Sequence, residues 1–392
     1  MLLSLTACNN SGESSETNSS ALEESTSASE TTSEETSKNT TSETSKEETF
    51  MAYEVDKSGY LKDTKTNNLN FNSVTIKAKD FKGTFNGCHI DENGRFAMDV
   101  NRDLYNCTFE SEVMNVGAFN TMLISWNAIC GKGRVEISVS FETADGKWSD
   151  YFSYGTWTDK AYGSTSKSVT NEFGTMNVDT LIPSKSTTGN IKYKIYMGRL
   201  GMYYPVIENI TIATSEMNVA KPGSYPDYIH NPVPMRSQYA PENGEDGGVM
   251  CSATTVAMAL EYMGYNRPTL EIGKGTWDIE FGGYGNWLFS VAEAAAHGYY
   301  TFCDFYTEDM IKYALSKGYA IGCSTYLSTV GHIVLVVGYE VVDGVEYYIV
   351  NDPGVSSTNP QVTRYTCEYF NSVWMKPEYS DTGVVYVFQG QY

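Results

Sequence analysis

The C-terminal part of the sequence contains a cysteine whose position suits nucleophilic catalysis. Cys251 follows a pair of glycines and opens the segment Cys251–Met263, in which apolar residues recur at helical spacing up to Gly264. The first turn of a helix presents unpaired N–H groups and a partial positive charge, which favour a thiolate over a thiol. We therefore predict that Cys251 is a nucleophile rather than a buried structural cysteine.

A histidine and a carboxylate follow at the ends of two predicted strands. His332 begins the apolar run Gly-His-Ile-Val-Leu-Val-Val-Gly-Tyr, so its side chain extends from a rigid scaffold, as a general base requires. Asp352 ends the next strand, where it can orient the ring of His332. A turn-forming Asp-Pro pair is the alternative for Asp352, and Asn351 is a second candidate because an amide can also orient the ring.

Two further side chains complete the candidate site. Gln238 lies thirteen residues before Cys251, and its side-chain N–H can join the Cys251 backbone N–H in an oxyanion hole. Trp287, in a Gly-Asn-Trp motif, is a candidate for the substrate-binding cleft, with a core position as the alternative. No CxxC pair or His/Cys cluster has the spacing of a zinc site, so we predict no metal and no cofactor.

Together these motifs resemble the bacteriocin-processing-peptidase-like domains, cysteine peptidase family thirty-nine, of the papain-like clan. The pattern comprises Pro-x-x-x-Gln at 234–238, Cys-Ser-x-Thr-x-x-x-Met at 251–258, Gly-Asn-Trp at 285–287, Gly-His-Ile-Val at 331–334 and Asn-Asp-Pro at 351–353. The resemblance implies a triad of Cys251, His332 and Asp352. It also implies that Gln238 is the oxyanion helper. Ser252 departs from the pattern, because many relatives carry glycine after the nucleophile.

The sequence gives no reason to expect the transport function found beside some of these peptidases. It contains no Walker A motif and no run of about 18 apolar residues that would span a membrane as a helix. Cleavage of leader peptides coupled to export is therefore not expected. A papain-like α+β cysteine peptidase domain over residues 225–392 is the prediction that remains.

Residues 50–220 are typical of a β-sandwich. Five segments are rich in β-branched or aromatic residues and are separated by turn signals, namely 74–78, 122–126, 135–141, 191–196 and 207–213. The region also resembles, more loosely, the β-rich module that precedes such peptidases in some exported bacterial proteins, through Ser125-Trp-Asn-Ala and Asp145-Gly-Lys-Trp-Ser. Its aromatic cluster between Trp148 and Trp157 is interpreted as core packing, with a carbohydrate platform as the alternative.

The first eight residues are apolar and end in Leu5-Thr6-Ala7-Cys8, which resembles the lipobox of bacterial lipoproteins. The resemblance implies that Cys8 is diacylated after cleavage before it. This would anchor the chain to the bacterial membrane on the extracellular side. Because no basic segment precedes the apolar residues, we expect residues 1–8 to be a truncated lipoprotein signal peptide.

Residues 9–49 are almost wholly Ser, Thr, Glu, Asn and Lys, which predicts a disordered linker. As a coil, the linker would reach about 35 Å, enough to hold a domain off a membrane surface. Ten Glu and two Lys in this segment account for −8 of the net charge of −21. Such an acidic chain is a poor partner for nucleic acid, whose binding depends on Lys and Arg.

The sequence as a whole predicts a multidomain α+β protein that acts as an extracellular, membrane-anchored cysteine peptidase on a peptide or protein substrate. The same triad would also serve an acyl transferase or isopeptidase that acts on wall peptides. A third hypothesis is a non-catalytic surface protein whose β-sandwich binds carbohydrate. Thiol chemistry alone does not separate the first two.

Overall fold

Two antiparallel sheets form the N-terminal part of the protein, in a computed structural model that describes residues 68–100, 104–166, 168–328 and 331–391. The strands of this part are β1 (Ser73–Lys77), β2 (Gly83–Asn86), β3 (Cys88–Ile90), β4 (Phe96–Met98), β5 (Asn106–Ser111), β6 (Met114–Asn115), β7 (Met122–Ile129), β8 (Arg134–Thr143), β9 (Phe152–Trp157), β10 (Ser168–Thr170), β11 (Gly174–Asn177), β12 (Thr180–Pro183), β13 (Thr187–Gly198) and β14 (Val206–Thr214). One sheet has the order β10-β11-β12-β7-β14-β4-β3, with β1 paired to β14. The other has the order β2-β5-β13-β8-β9, with β6 paired to β13.

A third antiparallel sheet and five α-helices form the C-terminal part. The elements are β15 (Tyr228–His230), α1 (Cys251–Tyr262), α2 (Thr269–Thr276), α3 (Trp287–Ala296), β16 (Tyr299–Tyr306), α4 (Glu308–Ser316), β17 (Ile321–Thr325), β18 (His332–Val342), β19 (Val345–Asn351), β20 (Thr363–Thr366), α5 (Cys367–Val373) and β21 (Gly383–Gln391). The strand order is β16-β21-β17-β18-β19-β20, with β15 paired to β18. The described residues are thus mostly β-sheet in the N-terminal part and mixed α and β in the C-terminal part.

The burial of α1 and β18 explains why their sequences are almost wholly apolar or small. Every residue of α1 from Cys251 to Leu260 is buried, so the helix needs no polar face. In β18 the residues from His332 to Glu340 are buried as well, because helices cover both faces of this sheet. The predicted helix beginning at Cys251 is confirmed, as is the strand that begins at His332. No helix of the described residues is long and apolar enough to cross a membrane.

The N-terminal and C-terminal parts share a hydrophobic core. A single cluster of buried side chains contains Phe141 and Ile195 from the N-terminal sheets together with Val256 and Trp287 from α1 and α3. The Ser125-Trp-Asn-Ala motif of β7 lies at this junction. Ser125 accepts a hydrogen bond from the N–H of Cys303 (3.2 Å), and the Asn127 amide donates to the carbonyl of Thr301 (2.6 Å).

A buried carboxylate in β16 also joins the two parts. Asp304 accepts hydrogen bonds from the N–H of Phe71 (3.0 Å) and from the hydroxyl of Ser73 (2.8 Å), both in the N-terminal part. Burial raises the pKa of Asp304 to about 7, although these hydrogen bonds oppose the rise. The folded protein therefore keeps a proton on Asp304 at pH values where the unfolded chain has released it.

This proton makes a testable contribution to stability. Because the folded pKa is raised, the protonated carboxyl favours folding at low pH, and this contribution is lost as pH rises toward 7. We expect Asp304→Asn to be less stable than wild type overall. The titration of Asp304 should lower the free energy of unfolding of wild type by about 3 kcal/mol between pH 4.5 and 7.5, and this decrease should be missing in Asp304→Asn. Urea unfolding of both proteins at the two pH values measures this difference.

The matched control is Asp343→Asn, the same substitution in the exposed turn between β18 and β19. Its unfolding free energy should follow the wild-type pH dependence. Equal pH slopes for wild type and Asp304→Asn would show that the Asp304 proton does not contribute to folding.

The described cysteines form no disulfide bond, so they are free thiols in this structure. Cys88 and Cys107 lie side by side, and hydrogen bonding to Cys107 lowers the pKa of Cys88.

The predicted lipobox with Cys8 and the linker over residues 9–49 lie outside the described residues.

Candidate active site

Cys251 occupies the first position of α1, where the predicted helix begins. The preceding residue, Met250, places no side-chain cap on the first turn, and Cys251 is 5% exposed. Of the two glycines before Cys251, Gly247 is required for a steric reason. A side chain at Gly247 would place its Cβ 2.6 Å from the backbone oxygen of Gln238, so only glycine fits where these two segments meet.

His332 and Asp352 form a direct pair at neighbouring strand ends. The ring Nε2 of His332 lies 2.7 Å from Oδ1 of Asp352, and both side chains are largely buried. Since Asp352 occupies Nε2, Nδ1 is the ring nitrogen left to exchange a proton with a thiol. On the other side of β18, Thr325 donates to the His332 carbonyl (3.0 Å), which fixes the backbone from which the ring extends.

The carboxylate of Asp352 has two further donors that the sequence did not indicate. The N–H of Gly354 donates to Oδ1 (2.7 Å), and the hydroxyl of Tyr365 in β20 donates to Oδ2 (3.3 Å). Burial by itself would raise the pKa of Asp352. The charge of His332 and its hydrogen bond lower this pKa, and so do the hydrogen bonds from Gly354 and Tyr365. Together these contacts outweigh burial and hold the pKa of Asp352 below its usual value. Asp352 is therefore a carboxylate at neutral pH.

A hydrogen bond one turn into α1 ties the helix to the strand of His332. The hydroxyl of Thr255 donates to the carbonyl of Ile333 (3.2 Å), the residue after His332. Residues four apart share one face of a helix, so the face of Thr255 is also the face of Cys251. The face of α1 that carries Cys251 is therefore held against the start of β18.

Gln238 bridges the segment before Cys251 and the loop after Asp352. Its amide Nε2 donates to the carbonyl of Gly248 (3.1 Å), and its backbone N–H donates to the carbonyl of Pro353 (2.8 Å). Gln238 is 2% exposed, so both contacts are shielded from water. The amide nitrogen has two N–H groups, and one remains for a second acceptor.

Asn351, the alternative orienting residue, points elsewhere. Its amide donates to the carbonyls of Val233 (3.1 Å) and Pro234 (3.3 Å). Asn351 thus holds the chain that leads into Gln238, while Asp352 contacts the ring of His332.

Trp287 begins α3, on the side of the C-terminal part that faces the N-terminal sheets. Asn286 caps the helix by accepting from the N–H of Phe289 (3.1 Å), and Asp179 accepts from the N–H of Trp287 (2.7 Å). The indole is 4% exposed, and among the described residues its Nε1 has no hydrogen-bond partner. Trp287 lines a cleft whose other walls come partly from β12.

The aromatic cluster considered for carbohydrate binding divides by burial. Phe152, Tyr154 and Trp157 are buried, as packing residues would be. The rings of Trp148 and Tyr151 are partly exposed, with Lys192 and Lys194 over them at 4.7 and 3.9 Å. Three of the five rings are therefore unavailable to a sugar.

Among the residues that the structure describes, one group of potential metal ligands lies in the C-terminal part. Glu308, Glu346 and Cys367 could each offer one atom to an ion. Between the carboxylates stands the ammonium of Lys312, 3.0 Å from Glu346 and 3.8 Å from Glu308. A lysine in this position already neutralises the charge that would attract a cation, so the group is better described as an ion-pair network.

The comparisons with known proteins identify the class of domain that carries this arrangement. Residues 230–381 match the Peptidase_C39 like family, and residues 57–215 match the Peptidase C39 N-terminal domain. The chain is therefore a C39-like peptidase domain protein, with the β-rich domain in front. Comparison with curated proteins gives no match.

Three solved structures are similar to parts of the chain. They are the enzymatically active domain of bacteriophage CBA120 tailspike protein 4 (11% identity, 40% of this chain and 20% of that chain, TM-score 0.20), the Podospora anserina GH26-CBM35 β-(1,4)-mannanase (14%, 47% and 35%, 0.19) and the Clostridium thermocellum xylanase 10B CBM22-1-GH10 modules with xylohexaose (12%, 40% and 28%, 0.18). The chain spans about a third or less of their length, and TM-scores this low carry no argument about fold or function.

Proposed function

We propose that the protein is a cysteine peptidase that hydrolyses peptide bonds through Cys251, His332 and Asp352. The observation that carries the proposal is the 2.7 Å contact between His332 and Asp352 at the strand ends against which the Cys251 face of α1 is held. The match of this region to a peptidase family supports the same conclusion.

Each residue has one role in the proposed reaction. His332 takes the thiol proton at Nδ1, and the Cys251 sulfur attacks the peptide carbonyl carbon. The Cys251 backbone N–H and the second amide N–H of Gln238 stabilise the oxyanion. When the C–N bond breaks, His332 returns the proton to the leaving amine and a thioester remains. Water then attacks the thioester, His332 takes its proton, and the acid product leaves as the thiol is restored.

We further propose the finer fold that the sequence predicts, with the two N-terminal sheets packed as a β-sandwich and the C-terminal part as a papain-like domain. The continuous core of the N-terminal sheets and the helix-then-strand order after residue 250 support it.

A lipid anchor at Cys8, with the protein outside the cell, is also proposed. The test is to express the chain in a bacterium behind a complete lipoprotein signal peptide that ends at Ala7. Labelled palmitate should be incorporated into this protein and not into its Cys8→Ala variant.

Product analysis tests the proposed reaction. The full chain is incubated with a decapeptide mixture, with and without a primary amine, and the products are read by mass spectrometry. Hydrolysis predicts free carboxylates that are unaffected by the amine. Amide products that grow with amine concentration would identify an acyl transferase instead, and unchanged peptides would contradict both.

A further inference from the structure

Two cysteines of the N-terminal part lie where the chain passes from one sheet to the other. Strand β2 pairs with β5 in one sheet, with Asn86 opposite Thr108. Gly87 follows with a φ of 72°, which glycine adopts without strain, and the chain then enters β3 of the other sheet at Cys88. Cys107 precedes Thr108 in β5. The crossover at Gly87 therefore brings the thiols of Cys88 and Cys107 together.

Direct contacts join the two thiols and the strands that carry them. The S–H of Cys107 donates a hydrogen bond to the sulfur of Cys88, and the S–H of Cys88 donates to the carbonyl of Thr108 (3.2 Å). A Cβ built at Gly87 would lie 3.5 Å from the Cβ of Cys107. The backbone beside Cys88 thus approaches Cys107 as closely as the Cβ atoms of a disulfide bond approach each other, about 3.5 to 4.5 Å.

The surroundings of the pair suit a disulfide bond. Cys88 and Cys107 belong to the buried cluster that also contains Phe96 and Phe109, and a disulfide adds neither charge nor a polar hydrogen to such a site. Strand β3 has three residues and stands at the end of its sheet. Local opening of so short an edge strand gives a reagent access to Cys88.

Cys88 is the more acidic thiol of the two. The hydrogen bond from Cys107 lowers the pKa of Cys88, whereas the same contact and burial raise the pKa of Cys107. The thiolate is the form of cysteine that attacks a disulfide. Cys88 is therefore the attacking thiol, and Cys107 is placed to complete the exchange.

We propose that Cys88 and Cys107 form a disulfide bond when the protein meets an oxidising disulfide compound, and that this bond cross-links the two N-terminal sheets. The Cys88 thiolate attacks one sulfur of the oxidant, and the other sulfur leaves and takes up a proton as a thiol. The sulfur of Cys107 then loses its proton and attacks the Cys88 sulfur. The second thiol of the oxidant leaves with that proton. One disulfide is reduced for each one formed, and the step is independent of the proposed peptidase activity.

Peptide mapping of the oxidised protein tests the bond directly. The reduced full chain is incubated with oxidised glutathione until its composition no longer changes. It is then quenched in acid, alkylated and digested without reduction. Mass spectrometry should find most of the protein with Cys88 joined to Cys107. Alkylation of both cysteines, or glutathione that remains on Cys88 alone, overturns the inference.

Thermal unfolding tests whether the bond cross-links the sheets. It would close a loop of about 20 residues, so we expect the oxidised protein to unfold about 5 to 10 °C above the reduced protein. Both forms carry Cys251→Ala, so glutathione on that thiol adds no shift. Cys88→Ala and Cys107→Ala, each compared with itself in the two redox states, should lose the difference.

The matched control is Cys130→Ala, which removes another buried cysteine of the N-terminal part. It should keep the full difference between the oxidised and the reduced midpoint. Equal midpoints in the two redox states without these substitutions overturn the inference, as does a difference that persists in Cys107→Ala.

Discussion

Replacement of Cys251 by alanine is expected to lower the rate of peptide cleavage by at least about 10³-fold, because no other group in the proposed mechanism can form the thioester. The side chain is small and sits at a helix start, so the substitution should leave the fold intact. Cleavage of the decapeptide mixtures by purified variant and wild type, followed by mass spectrometry, measures the loss.

The control for this experiment is Cys303→Ala. Cys303 is also a buried cysteine of the C-terminal part, and its thiol donates to the carbonyl of Trp287 (3.6 Å), away from His332 and Asp352. Its cleavage rate should stay within about threefold of wild type. If Cys251→Ala retains a tenth or more of the wild-type rate while its thermal unfolding is unchanged, Cys251 is not the nucleophile.

Replacement of Asp352 by asparagine is expected to lower the cleavage rate by about 10² to 10⁴-fold. The carboxylate accepts the Nε2 proton of His332 and so keeps Nδ1 free for the thiol. An amide can instead donate to Nε2, which moves the ring proton to Nδ1 and blocks proton transfer from Cys251. Steady-state kinetics should show the loss in kcat, since Asp352 is not expected to bind substrate.

Tyr365→Phe provides a graded comparison. It removes the 3.3 Å donor to Oδ2 and leaves the contact between Asp352 and His332. We expect a fall of about two- to fivefold. If Asp352→Asn is no worse than Tyr365→Phe, the carboxylate does not set the tautomer of His332, and the triad reduces to a pair.

The sequence predicted those parts of the site that depend on local pattern. A helical run of apolar residues located Cys251 at a helix start, and an apolar run placed His332 at the head of a strand. The approach of Asp352 to His332 followed from the pairing of consecutive strands, β18 and β19. Each of these features spans at most about twenty residues, which is the range over which periodicity and turn residues are informative.

Features that join distant segments could not be predicted. Aspartate is a residue type that is usual at strand ends and in turns. Asp304 is nevertheless buried in β16, because backbone N–H groups more than 200 residues earlier in the chain donate hydrogen bonds to its carboxylate. Asp179 of the N-terminal part accepts a hydrogen bond from the backbone N–H of Trp287, which lies 108 residues later in the chain. Tyr365 had no motif around it. In each case the partner lies in another element, and a single sequence does not reveal which elements meet.

The central claim is that Cys251 is activated by His332, and site-resolved alkylation of the full chain tests it most directly. Wild type and His332→Ala are treated with iodoacetamide from pH 5 to 9, and each cysteine is followed by peptide mass spectrometry. Buried cysteines of the same chain are internal standards, since burial raises the pKa of Cys367 to about 12 and that of Cys303 well above its usual value.

We predict that at pH 6 Cys251 reacts at least about tenfold faster than either standard and loses this advantage in His332→Ala, as a histidine-activated thiolate must. Thermal unfolding of both proteins confirms that the variant is folded. If Cys251 reacts no faster than Cys367, or keeps its rate when His332 is replaced, the activated pair does not exist and the peptidase mechanism is contradicted.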